Sequence, residues 1–267
     1  GYGKFWRFKS AEKILTEIKK SEKIIVNCHR SPDPDSIGSA LALYNVVVRL
    51  GKVVKIVCPS DVLPEAKFLP LTEKVERIDF AKFDFSKYDL FLSLDSGSME
   101  MVTGRKDVSV SKIPIIVIDH HKTNQMYGEI NLVDDKVSST AELLYSIFED
   151  WGVEVDKDIA QALLTGILAD TGVFEYQGVP SKTLGIAQKL MEAGADKDEI
   201  ILNVFHSVPF KKIKFWGEII KRMEIDEKYR FVWSALPHET YLEFGSPLSG
   251  KESAASTFVQ SIADIDF

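Results

Sequence analysis

Lys23-Ile-Ile-Val-Asn-Cys-His29, continuing as Arg30-Ser-Pro-Asp-Pro-Asp35-Ser-Ile-Gly-Ser39, is the stretch on which the fold turns. Its first half is continuously apolar before a polar end, which predicts a strand buried on both faces, as in a parallel sheet covered by helices. Pro32 and Pro34 interrupt any helix across the loop and stiffen it, so Asp33 and Asp35 project in fixed directions. A helix is predicted from about Ser36 to Leu50, stopped by Gly51. The free N–H groups of Ser36, Ile37, Gly38 and Ser39 and the helix dipole favour an anion there, which makes Ser39 a candidate substrate contact.

Outward from this stretch the same pattern repeats. Val53 to Cys58, Tyr88 to Leu94 and Pro114 to Ile118 read as short apolar strands. Ser10 is a candidate cap for a helix with Ile14, Leu15 and Ile18 on one face. Ser139 and Glu142 form a capping-box pattern for a helix ending near Gly152. Further helices are predicted over about Lys157 to Ala169 and Ser181 to Ala193, the latter stopped by Gly194. This alternation predicts an α/β fold, a doubly wound and mostly parallel sheet with helices on both faces. After Gly194 a helical stretch from Lys211 to Arg222 leads to an isolated strand, Tyr229 to Ala235. That reads as the start of a smaller C-terminal α/β domain. The expected division is a catalytic, metal-binding domain over 1–195, then linker helices and an incomplete substrate-binding domain over 196–267.

Composition narrows the function. The 267 residues hold 33 basic against 40 acidic side chains, net −7, which excludes a polybasic mode of nucleic-acid binding. With 45% hydrophobic and 27% charged residues, the chain is neither disordered nor fibrous. Apolar runs such as Ile113 to Ile118 fall far short of the ~18 residues of a membrane span. Two cysteines, Cys28 and Cys58, make no disulfide framework, and Cys28 reads as a small packing residue. With no secretory leader visible, the expectation is a cytoplasmic protein. The chain opens without a methionine, so its start is expected to be trimmed or tagged.

Chemistry concentrates at the strand ends. In an open parallel sheet, ligands bind beyond the carboxyl ends of the strands. The first strand delivers His29, Asp33 and Asp35; the strand at 88–94 delivers Asp95; the strand at 114–118 delivers Asp119, His120 and His121. Asp170, at the end of its helix, is a fourth contribution. So many carboxylates side by side would repel and take up protons unless a cation neutralised them. Oxygen ligands with a few imidazoles and no thiolate suit manganese or magnesium better than structural zinc. The candidates are about right for two ions sharing a carboxylate, the clamp used for in-line displacement at phosphorus. His206 and His238, by contrast, read as surface residues. Lys211-Lys-Ile-Lys214 reads as a solvated helix face, and Tyr145, Phe148 and Trp151 read as core.

His29-Arg-Ser-Pro-Asp33-Pro-Asp35-Ser-Ile-Gly-Ser39, Asp95, Asp119-His120-His121 and Gly166-Ile-Leu-Ala-Asp170-Thr-Gly172 together resemble the ordered motifs of the DHH phosphoesterase family. The resemblance spans about residues 22–195. It is nearest to the branch of oligoribonucleases and 3′-phosphoadenosine 5′-phosphate phosphatases. It implies a site for two divalent ions, Mn2+ by expectation with Mg2+ and Co2+ as alternatives. His29, Asp33 and Asp95 would hold one ion, and Asp35, Asp95, His120 and Asp170 the other, with Asp95 bridging. His121 would donate to the scissile phosphate, and Asp119 would orient its neighbours without touching an ion. The branch commonly has an arginine where this chain has Met101, with Arg105 as a nearby substitute for that substrate contact. Nothing like the glycine-rich segment that ends the family's C-terminal domain occurs, so the chain is expected to be incomplete there.

The implied activity is manganese-dependent hydrolysis of short single-stranded RNA or DNA, or of small cyclic or linear nucleotides, to 5′-mononucleotides. The alternatives are an inorganic pyrophosphatase like those of family II, or a nucleotide sensor whose catalysis has lapsed. A homodimer through a sheet edge is a further expectation, and no membrane partner is expected.

Overall fold

The computed structural model describes residues 2–110, 112–245 and 262. Its chain divides into two compact units, Gly1–His206 and Ser207–Phe267.

The first unit is built on a six-stranded, wholly parallel sheet. In chain order its strands are β1 (Lys23–Asn27), β2 (Val53–Cys58), β3 (Val75–Arg77), β4 (Leu90–Leu94), β5 (Ile115–Asp119) and β6 (Ile130–Val133). In space they run β3-β2-β1-β4-β5-β6. The chain therefore builds outward in one direction from β1 to β3 and in the other from β4 to β6. The strand order reverses between β1 and β4, and a doubly wound sheet opens its binding crevice at that point. The register sets Ile24 beside Val54 and Leu90, and Ile118 beside Leu94 and Leu132. β1, β4 and β5 are buried almost throughout, as their unbroken apolar sequences require. β3 and β6 carry no such run, being short edge strands with half-exposed residues.

The two faces of the sheet are covered unequally. Alternate residues Ile24, Val26, Leu90, Leu92, Leu94, Ile116 and Ile118 face a large core. It is shared with α1 (Tyr2–Lys20), α2 (Pro34–Arg49), α4 (Thr140–Asp150) and α5 (Lys157–Thr171). On the opposite face Ile25, Phe91 and Val117 meet the short α3 (Met99–Thr103) and an aromatic segment with Phe80 and Phe85. Beyond α5 lie α6 (Ser181–Glu192) and α7 (Lys197–Phe205). Ile200 of α7 is buried in the large core, so the first unit runs on to His206, past the boundary expected at 195.

The helix ends follow their sequence signals, with two corrections. Asp33 caps α2, its carboxylate accepting from the Ser36 N–H at 2.9 Å, and Pro34 opens the first turn. Ser139 caps α4 by accepting from the Glu142 N–H at 3.0 Å. The return half of the expected capping box is displaced, because the Glu142 carboxylate accepts from Ser138 and from Thr183 Oγ1 of α6. Ser10 lies inside α1 and caps nothing. That helix extends upstream because Arg7 is anchored to Asp150 of α4, Nε to Oδ2 at 3.0 Å. Among the described residues no helix is long and apolar enough to cross a membrane.

In the second unit α8 (Phe210–Lys221) precedes the hairpin of β7 (Met223–Asp226) and β8 (Phe231–Ser234), followed by α9 (His238–Glu243). The strand expected to stand alone near residues 229–235 pairs antiparallel with β7, Ile225 facing Val232. Phe215 of α8 is its buried anchor, packed on Phe244 at 5.5 Å between ring centres.

Candidate metal centre

The polar ends of β1, β4 and β5 lie side by side at the carboxyl edge of the sheet, across the point where strand order reverses. His29 follows β1, Asp95 follows β4, and Asp119, His120 and His121 end β5. Asp33 and Asp35 enter from the start of α2, and Asp170 from the last turn of α5. Three overlapping groups result: His29, Asp33 and Asp95; Asp35, His120 and Asp170; and Asp95, Asp119, His120 and His121. Within each group one donor atom per residue lies within 4.8 Å of all the others.

Two of the three histidines, His29 and His121, are oriented by a bond from Nδ1. His29 Nδ1 lies 2.8 Å from the Arg30 carbonyl oxygen, which only accepts, so Nδ1 carries the hydrogen and Nε2 is left for the carboxylates. That Nε2 stands 3.4 Å from Asp95 Oδ2 and 3.6 Å from Asp33 Oδ2. The His29 main-chain N–H is in turn held by Ser36 Oγ at 3.0 Å. His120 Nε2 stands 3.3 Å from Asp170, 3.6 Å from Asp95 and 4.0 Å from Asp35. It is buried and, among the described residues, has no hydrogen-bond partner. His121 donates from Nδ1 to Asp119 Oδ1 at 2.7 Å, and its side chain is 46% exposed.

The carboxylates are supported unequally. Asp35, fully buried, accepts from the Thr140 and Ala141 N–H groups at 2.9 and 3.0 Å, at the start of α4. Thr140 Oγ1 donates to Asp95 Oδ1 at 2.9 Å. Asp119 accepts from the His120 and His121 N–H groups and from Asn124 Nδ2.

Protonation shows the strain of assembling these groups. Burial, then the charges of Asp95, Asp170 and Asp33, push the Asp35 carboxyl well above its ordinary range. Asp170 is raised by burial and by Asp95 and Asp33. Burial alone would depress His29, but bonds to Asp33 and Asp95 and their charges lift it to about 10. The bond to Asp119 leads in raising His121 to about 9, against the effect of burial. The cluster thus draws positive charge to itself, and a multivalent cation satisfies that demand better than scattered protons. The orphaned His120 Nε2, among three carboxylates, is the donor atom such a cation needs.

Two expected substrate contacts sit elsewhere. Ser39 is wholly buried and its hydroxyl lies 3.4 Å from Asp35 Oδ1, so it faces a carboxylate of the cluster and no open space. The reason is helical spacing, since residues four apart share a face. Arg105 is exposed and its guanidinium grips Asp107, Nε to Oδ1 at 3.1 Å. Sequence reading missed Thr140 and Asn124. The cap at Ser139 was a signal for the first, although it did not reveal which carboxylates the helix start would meet.

The DHH family, N-terminal domain, matches residues 23–167. The bifunctional oligoribonuclease and PAP phosphatase NrnA of Thermus thermophilus is 32% identical over 196 residues, 73% of this chain and 58% of that protein. The probable NrnA of Streptococcus mutans is 28% identical over 216 residues, 80% of this chain and 66% of its own length. The chain thus spans 58–66% of these two curated relatives. In fold it is similar to the crystal structure of an exopolyphosphatase-related protein from Bacteroides fragilis. That likeness has a TM-score of 0.89 at 24% identity, over 96% of this chain and 77% of the other. The family match covers more than half of the chain and takes in the ends of β1, β4 and β5, and on that ground the chain belongs to the DHH family.

Proposed function

We propose that the chain is the catalytic part of a divalent-metal phosphoesterase that cleaves short oligonucleotides or small phosphorylated nucleotides. The carrying observation is Asp95, whose two oxygens face different partners, Oδ2 toward His29 and Oδ1 toward His120. A carboxylate so placed suits a ligand shared by two ions. His29 and Asp33 would complete one site, and Asp35, His120 and Asp170 the other, with Mn2+ the ion favoured by the donor set. When bound, such ions supply Lewis acidity at the phosphoryl oxygens and a water ionised near neutral pH. His121 keeps its Nδ1 hydrogen on Asp119, and that bond holds the pKa of the ring up to about 9. The imidazole is therefore doubly protonated near neutral pH, leaving a second hydrogen on Nε2 to donate to a phosphoryl oxygen as charge grows there. The names of the NrnA relatives support the substrate class.

The test is a panel of short RNA, 3′-phosphoadenosine 5′-phosphate and inorganic pyrophosphate, each with added Mn2+. Release of mononucleotide is expected. Hydrolysis of pyrophosphate alone would turn the reading to a pyrophosphatase, and tight nucleotide binding without product to a sensor.

Removal of metal is expected to show in stability. A cation that binds only the folded chain, at 100 times its Kd, adds about 2.7 kcal/mol, equivalent to about 5–10 °C in Tm at this size. Thermal melts in EDTA and in excess Mn2+ measure it, and coincident melts would count against the cation.

A further inference from the structure

Asp95 has a backbone φ of +50°, in the left-handed region that residues other than glycine seldom occupy. The conformation costs energy and persists only where the surroundings over-determine it. Those surroundings are specific. Asn27, the fully buried last residue of β1, spans the two neighbours of Asp95. Its Oδ1 accepts from the Leu94 N–H at 2.8 Å, and its Nδ2 donates to Ser96 Oγ at 3.3 Å. Ser96 Oγ donates back to the Leu94 carbonyl at 2.7 Å, closing a small ring of bonds around the turn. The Asp95 N–H is tied to the Ile118 carbonyl across the sheet at 3.1 Å. Asn124 Nδ2 and the Tyr127 hydroxyl hold the Ser96 carbonyl at 3.1 and 2.8 Å.

The side chain is fixed from the other direction. Thr140, fully buried, donates its hydroxyl to Asp95 Oδ1 and its N–H to Asp35 Oδ2, both at 2.9 Å. One residue therefore sets the spacing between two carboxylates that repel each other. A single hydrogen on Oδ1 leaves that oxygen a lone pair, and Oδ2 keeps both.

We propose that Asn27 and Thr140 are positioning residues of the metal centre. Asn27 holds the Asp95 backbone in its left-handed turn, and Thr140 sets the pitch of its carboxylate relative to Asp35. The proposal rests on the reading of Asp95 as the ligand shared by two ions. It gives a buried asparagine and a buried threonine a task that packing alone would leave to apolar residues.

The experiment is calorimetric titration of the metal-stripped, full 267-residue chain with Mn2+, with electron paramagnetic resonance of the loaded protein. Thr140→Val removes the hydroxyl at nearly constant shape and is expected to weaken Mn2+ binding about 10–100-fold, as loss of an orienting partner typically does. It should also raise the signal of uncoupled Mn2+ relative to a coupled pair. Thr140→Ser keeps the hydroxyl and is expected to recover affinity to within about threefold of wild type. Asn27→Ser, which cannot span both neighbours, is expected to weaken binding at least ~10-fold. If Thr140→Val does not fold, Thr140→Ala takes its place with the same expectation. Wild-type affinity and coupling in either folded variant overturns the role of that residue, as does equal weakening in Thr140→Val and Thr140→Ser. A wild-type chain that binds no Mn2+, or an Asp95→Asn variant that binds it normally, overturns the shared-ligand reading itself. That failure shows without any Thr140 or Asn27 variant.

Discussion

Asp95→Asn is expected to reduce Mn2+-dependent phosphoester hydrolysis by at least ~10³-fold, about 4 kcal/mol of transition-state stabilisation. Groups that only orient a ligand are worth about 10–100-fold, so a ligand common to both halves of the cluster must exceed that range. Asparagine is the sharper substitution. Like aspartate, it tolerates the left-handed backbone found at this position, and it can still accept the Thr140 hydroxyl bond. What is lost is the charge and the lone pairs of one of the two oxygens. Without metal the variant should melt close to the wild type, because relief of the repulsion that raises Asp35 and Asp170 offsets the lost pairing of Asp95 with His29. The added stability from Mn2+ should disappear with the activity. Paired melts and single-turnover assays decide the matter. Retained turnover under Mn2+ would remove Asp95, and with it the bridged centre, from the mechanism.

The sequence made some of this legible for definite reasons. β1, β4 and β5 announce themselves because a strand buried on both faces must be apolar without interruption, and a change to His or Asp then marks where the sheet ends. β3 and β6, at the edges, lack that constraint; Val75-Glu-Arg77 reads no differently from a loop. The cluster residues stand out as polar endings to apolar runs. Their supports do not, because each is defined by contacts distant in sequence. Thr140 meets Asp35 across 105 residues and Asp95 across 45, and Asn27 meets Leu94 across 67. No local pattern separates such a threonine from any other near a helix start. Ser39 shows the opposite error. Its place near a helix start suggested a ligand contact, but its spacing from Asp35 turned it inward.

Gly166→Ala is expected to destabilise the metal-free protein by about 2–3 kcal/mol, the upper part of the usual overpacking range, and to weaken Mn2+ binding as well. α2 and α5 approach closely where Gly38 meets the backbone of Ala162 and Gly166 meets Asp35. A Cβ on Gly166 would fall on Asp35 Oδ1, 2.7 Å from the Ala141 Cβ and 3.2 Å from the Asp35 Cα. None of these atoms is the free end of a flexible side chain. Asp35 is pinned by the Thr140 and Ala141 N–H groups, and Ala141 by the core. Alanine favours a helix over glycine by about 1 kcal/mol, so the expected loss is the net of that gain and a larger steric cost. Gly38→Ala provides the contrast. Its Cβ would strike the Ala162 carbonyl oxygen, equally immovable, without touching a carboxylate of the cluster. Both variants should lose stability in urea unfolding with EDTA present. Gly166→Ala alone should lose Mn2+ affinity beyond what its instability explains, because relief of the overlap must come from moving Asp35. A Gly166→Ala protein with wild-type stability and affinity would mean that the helix crossing yields freely, and the link between packing and the metal centre would be lost.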